Sequence, residues 1–123
     1  MNERNDSRAI VLEYIDCINA GDPKRLVTLQ TEDFTFIDMK GDKSVGRDGW
    51  ESYFTQFPDY RIHVQQTLLS GDGVAIIGKT TGSHVDPKIE VLETILWIAE
   101  VRDGLVSFWR IYSDLDDAKK RLQ

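Results

Sequence analysis

WESYFTQFPDYRIHVQQTLL (residues 50–69) holds the point at which this chain changes its hydrophobic period. Trp50, Tyr53, Phe54 and Phe57 fall at i, i+3, i+4 and i+7, one apolar stripe of a helix, and Pro58 stops it. From Tyr60 onward, β-prone runs are divided by turn chemistry at Ser70-Gly71-Asp72-Gly73, Asp86-Pro87 and Arg102-Asp103-Gly104, which predicts four strands in hairpin order. Before this switch the reading is mostly helical. Ile10, Val11, Tyr14, Ile15 and Ile18 recur at helical spacing, so a first helix runs from about residue 6 to about residue 20, where Gly21 ends it. Asp22-Pro23 is an N-cap and first-position pair that opens a short second helix carrying Leu26 and Leu29. Asp33 to Met39 reads as a strand closed by the turn Lys40-Gly41-Asp42, and Leu115 to Leu122 as a short C-terminal helix. Helices first and an antiparallel meander last make one α+β domain over residues 1–123, with the helices on one face of a sheet.

Composition narrows the partners. The 123 residues carry 15 Lys and Arg against 21 Asp and Glu, a net charge of −6, the wrong sign for binding phosphate backbones or anionic membrane surfaces. The longest apolar stretch, Ile95 to Ala99, is too short to span a bilayer, and Met1 to Ile10 has no signal-like apolar region; cytoplasmic residence is the default expectation. The single cysteine, Cys17, fits helix packing in a reducing compartment. His63 and His84 lie in unrelated segments with no carboxylate at ligand spacing, so no metal is expected.

Apolar residues occur at both parities of the late strands: Ile95, Trp97 and Ala99 on one face, Leu92, Leu96 and Ile98 on the other. An antiparallel sheet with a solvated face shows clean alternation, so a second cover is expected, and a homodimer through this sheet supplies it.

The order of elements, together with AIVLEYIDCINAGDPKRLVTL (9–29), EDFTFIDMKG (32–41), VGRDGWESYF (45–54), FPDYRIHV (57–64), TTGSH (80–84) and FWRIYSD (108–114), resembles the SnoaL-like group of the nuclear transport factor two-like superfamily. The resemblance spans nearly the whole chain. It implies a cone of cystatin-like topology, a curved antiparallel sheet wrapped over three helices, enclosing an apolar pocket for a small organic molecule. The fold hosts isomerases, cyclases, hydrolases and proteins without catalysis, so chemistry has to be read from residues.

Asp114 ends the last strand on the face of Arg110 and Tyr112. In SnoaL-like cyclases an aspartate at the end of a similar strand enters the pocket as acid or base; alternatively Asp114 caps the final helix. Tyr14 and Asp38 match the ketosteroid isomerase pattern, in which a carboxylate abstracts a proton beside a carbonyl and a tyrosine hydroxyl meets the developing enolate oxygen. The second oxyanion donor of that pattern falls at Leu96 or Trp97 and is missing. Core packing is the plainer role for Tyr14, and a solvated strand end for Asp38. Glu93 interrupts an apolar run, so burial raises its pKa and makes it a candidate acid, unless Lys79, Lys88 or Arg110 pairs with it. In SnoaL-like sequences a histidine in the TTGSH motif often faces the cavity, which makes His84 a candidate, although a surface role is the plainer one for a lone histidine near a strand end. Limonene epoxide hydrolase shares only the terminal aspartate, since Gly78-Lys79-Thr80 stands where its Arg and Asp belong.

Two functions follow. One is a cofactor-independent isomerase or cyclase acting on a small apolar carbonyl compound, with Asp38 or Asp114 as base, Tyr14, His84 and Glu93 as proton partners, and Trp50, Phe54, Trp97, Trp109, Arg110 and Tyr112 lining the pocket. The other is a binding or dimerisation module in which those acids are solvated and the aromatic residues are core.

Overall fold

Val11, Tyr14, Ile15 and Ile18 are buried along one side of the first helix, α1 (Glu3–Asn19), which starts earlier than the polar residues at its N-terminus suggest. The structure is a computed structural model and describes residues 3–71 and 73–114; the expected C-terminal helix lies outside them. At the end of α1 the Asn19 side chain donates to the Ile62 carbonyl at 2.9 Å and accepts the Ile62 amide at 2.7 Å, so one amide group ties the helix to a strand. Helix α2 (Pro23–Thr28) follows with Asp22 as N-cap, its carboxylate accepting the Arg25 amide at 3.1 Å, and buries Leu26.

Strand β1 (Gln30–Ile37) begins three residues earlier than its β-prone run. A three-residue strand, β2 (Lys43–Val45), escaped the sequence reading because all three side chains are exposed and carry no alternation. Helix α3 (Gly49–Gln56) is the stripe around Trp50. Strands β3 (Arg61–Ser70) and β4 (Gly73–Thr81) form a hairpin with a register shift between Val64 and Gln66. Asp86-Pro87 does not make a tight hairpin turn: Asp86 caps a one-turn helix, α4 (Pro87–Glu90), as Asp22 caps α2. Strands β5 (Ile95–Arg102) and β6 (Leu105–Ser113) complete the sheet.

The architecture is the expected α+β one, with the strands in the order β2-β1-β6-β5-β4-β3 in a single curved, open sheet. It departs from a pure antiparallel meander at one place, where β1 lies parallel to β6. Register settles which face is inside: Ile76, Trp97 and Ile111 form one inner row, and Val74, Ala99 and Trp109 another. Ile76, Trp97 and Trp109 are fully buried against the helices. The opposite face carries Leu68, Ala75 and Ile98 in one row and Gln66, Ile77 and Leu96 in the next. Leu92 is not part of either face; it lies in the turn before β5 and is exposed. Among the described residues no helix is long and apolar enough to cross a membrane.

Candidate functional site

A cavity of about 490 Å³ opens between the inner face of the sheet, α3 and the segment after β1. Its walls are apolar and aromatic, with Phe34, Phe36, Trp50, Tyr60, Trp97 and Ile111 prominent among the lining residues. Trp50 stacks on Phe54 with centroids 5.4 Å apart, so a helical stripe of large rings forms one rigid wall. The polar side chains among the lining residues are Gln30, Asp38, Lys40, Ser44, Asp48, Thr80, Ser83 and His84, joined by the hydroxyl-bearing rings of Tyr53 and Tyr60.

Tyr14 does not line the cavity. Its hydroxyl donates to Gln30 Oε1 at 2.6 Å and accepts the Trp50 indole N–H at 2.6 Å, while Gln30 passes the chain on to the Arg47 carbonyl at 3.2 Å. Burial pushes the Tyr14 hydroxyl well above the ordinary tyrosine range. With its proton and one lone pair already engaged, Tyr14 locks α1, β1 and α3 together behind the wall.

Asp38 stands at the cavity, just after β1. Its Oδ1 accepts the amides of Lys40 and Asp42, both at 2.9 Å, which folds the Lys40-Gly41-Asp42 turn over the carboxylate. Oδ2 has no protein hydrogen bond among the described residues. His84 also lines the cavity, but from the loop after β4 rather than from the strand. Its Nδ1 is 3.0 Å from the Tyr53 hydroxyl, which also accepts the His84 backbone N–H at 3.2 Å. The ring sits edge-on to Tyr53, with centroids 5.9 Å apart. Desolvation holds the His84 pKa below the usual imidazole value, Glu90 and Asp38 pull it back up, and Lys40 pushes it down. Desolvation of half-buried Tyr53 beside it pushes that hydroxyl up to about 12.

The loop that carries His84 is held from below. Buried Glu90 accepts the Thr80 hydroxyl at 2.7 Å and the Ser83 amide at 3.2 Å through one oxygen. Gly82, between them, has φ +71° and lies so close to the Asp59 carbonyl that a Cβ would come within 2.4 Å of it.

The remaining sequence candidates lie elsewhere. Glu93 is fully buried and outside the cavity lining; its Oε2 accepts the Ser113 hydroxyl at 2.7 Å, and its Oε1 has no hydrogen-bond partner among the described residues. Burial raises its pKa, and the Ser113 hydrogen bond lowers it in part. Lys79 meets the Glu93 backbone carbonyl at 3.1 Å, not its carboxylate. Asp114 shares a face with Arg110 and Tyr112, as its parity requires, but that face is the outer one. There Asp114 is exposed, its Oδ1 accepting the Thr94 amide at 2.8 Å. Arg110 lies over the Tyr112 ring at 4.7 Å, away from the cavity. Phe54 and Trp109 are core residues behind the wall, whereas Trp50 and Trp97 line it. Tyr53 and Tyr60 were missed as site residues because each reads as an apolar position; only the hydroxyl at the end of such a ring signals otherwise.

Among the described residues no cluster of three or more His, Cys, Asp or Glu side chains could hold a metal ion. The SnoaL-like domain model matches residues 11–109. The chain belongs to the SnoaL-like family. Solved structures share the fold at low identity. An NTF2-like protein of unknown function from Mesorhizobium loti is 17% identical, with 94% of this chain and 96% of that one covered at a TM-score of 0.75. A protein of Kribbella flavida provisionally named a ketosteroid isomerase is 22% identical, covering 94% and 82% at 0.72. One from Jannaschia sp. provisionally named a SnoaL-like polyketide cyclase is 18% identical, covering 93% and 89% at 0.73.

Proposed function

We propose that this SnoaL-like protein binds a small, mostly apolar organic molecule in the cavity and moves a proton beside its carbonyl without a cofactor. The observation that supports this reading is the meeting of Asp38 and His84 at one apolar cavity. Asp38 is the base. Two backbone amides hold its Oδ1, so the carboxylate is fixed and Oδ2 is left to take a proton from the ligand. His84 is the electrophile. In this reading the Tyr53 hydroxyl accepts the His84 backbone N–H and gives its own proton to Nδ1, which leaves the imidazole proton on Nε2, a neutral donor for the carbonyl oxygen. The lowered pKa keeps that ring neutral at pH 7. The acid–base roles given to Tyr14, Glu93 and Asp114 by sequence are not part of this reading, since Tyr14 is saturated and the two acids stand off the cavity.

The experiment is solvent deuterium exchange at the carbon beside the carbonyl of 1-tetralone, followed by NMR. Wild type accelerates exchange over buffer. Asp38→Asn lowers the accelerated rate by at least about 100-fold, the usual contribution of a general base, while ketone binding stays within about threefold. Ketone binding without any accelerated exchange leaves the second reading, a binding module. That reading is favoured by the Trp50–Tyr14–Gln30 chain, which uses the isomerase-like tyrosine for structure.

The proposal extends to assembly. The outer rows of the sheet, with Leu68, Ile77, Leu96 and Ile98, form the face on which a second copy of the chain packs.

A further inference from the structure

Tyr60 and Trp97 bring two polar atoms to the cavity wall that the reaction above does not use. Tyr60 is 5% exposed and Trp97 fully buried, and both line the cavity. Among the described residues the Trp97 indole N–H has no hydrogen-bond partner of ordinary geometry, although it approaches the Tyr60 hydroxyl closely enough to favour that group's ionised form. The hydroxyl itself has no protein acceptor among the described residues. Buried donors without acceptors are uncommon, because each gives up its water without replacement. Trp109 also leaves its N–H unpaired, but it lies in the core away from the cavity lining, so an orphan indole alone decides nothing. What sets Trp97 apart is its position at the wall beside a second unspent donor. The Tyr60 ring is fixed by stacking on Trp50 at 6.2 Å and by an edge contact with Tyr53 at 5.1 Å, so its hydroxyl needs no reorganisation to act.

We infer that the Tyr60 hydroxyl, supported from behind by the Trp97 indole N–H, is a ligand-binding donor site that takes an ether oxygen of an otherwise apolar molecule, a second oxygen apart from the carbonyl that meets His84. This inference rests on the cavity being the ligand site. It is independent of whether Asp38 moves a proton. An ordinary hydrocarbon leaves the Tyr60 donor unpaired, so the site selects for oxygenated ligands over their hydrocarbon frames.

The test uses chroman and tetralin, the same bicyclic frame with and without an ether oxygen. Tryptophan fluorescence reads the binding of each. Wild type binds chroman about tenfold more tightly than tetralin, the scale of one hydrogen bond. Tyr60→Phe removes that preference but binds tetralin within about twofold of wild type, which also shows that the cavity is intact. Trp97→Phe lowers the preference without abolishing it. A preference unchanged in Tyr60→Phe overturns the inference, as does equal binding of the two probes by wild type; both results leave the apolar cavity standing. Failure of both probes to bind overturns the cavity reading and this inference with it.

Discussion

Tyr14 and Tyr53 both sit on helices that pack toward the sheet, yet their hydroxyls differ in what they have left to give. Tyr14 has spent its proton on Gln30 and accepts from Trp50, so it is a structural tie. Tyr53 sits at the cavity and engages His84 through the ring nitrogen and the backbone amide. Glu93 shows a different imbalance, a fully buried carboxyl with one oxygen unpaired among the described residues. Its pKa is raised in the native state above the ordinary 4.5, mainly by desolvation, so the native chain holds this proton to higher pH than the unfolded chain does. The Glu93 contribution to stability is therefore full at low pH and is lost as pH rises from about 4.5 through the raised value. Glu93→Gln keeps an acceptor for Ser113 and carries no charge. Thermal unfolding is expected to show this variant more stable than wild type at pH 7, with the advantage shrinking toward pH 4; an advantage independent of pH contradicts the account.

At the scale of elements, the loop between β4 and α4 is the feature that makes the site. Gly82 takes a left-handed conformation hard against the Asp59 carbonyl, and Glu90 holds Thr80 and Ser83 on either side of it. Gly82→Ala is expected to destabilise the fold by about 1–3 kcal/mol from the strained backbone, measured by urea unfolding, and to lose the His84–Tyr53 contact, read from the histidine ring resonances. Unchanged stability would mean that the loop has room this geometry denies it. The first three helices, the four late strands and the Asp22 cap were legible because each has a period or a capping pair of its own. The facing of the terminal strand was not. Phe108, Trp109, Ile111 and Tyr112 put large apolar groups on both parities, so alternation could not say which face is inner; Trp109, Arg110 and Tyr112 were all expected at the pocket, and Asp114 was brought there by the resemblance rather than by the period of its strand. Asp86-Pro87 was read as a hairpin turn although it repeats the pattern of Asp22-Pro23, because the helix it starts is one turn long.

For the whole molecule, the both-sided apolar pattern that hid the inner face has a second consequence. The outer face presents Leu68 at 48% exposure together with half-buried Ile77, Leu96 and Ile98, more apolar surface than a solvated sheet face carries. A homodimer formed through these rows predicts a two-chain species in sedimentation velocity at micromolar concentration. Leu96→Lys, central on that face, is expected to give the one-chain species with the cavity unaffected. A wild-type chain that sediments alone contradicts the dimer.

The central claim is that ligand enters the cavity between the sheet and α3, and the three tryptophans report on it directly. Trp50 and Trp97 line the cavity, while Trp109 lies behind it in the core. In a ¹H–¹⁵N spectrum titrated with 1-tetralone, the indole N–H resonances of Trp50 and Trp97 are expected to move, with that of Trp109 shifting far less. Shifts confined to amides of the outer rows around Leu96 and Ile98, with the Trp50 and Trp97 indoles unmoved, would contradict the account.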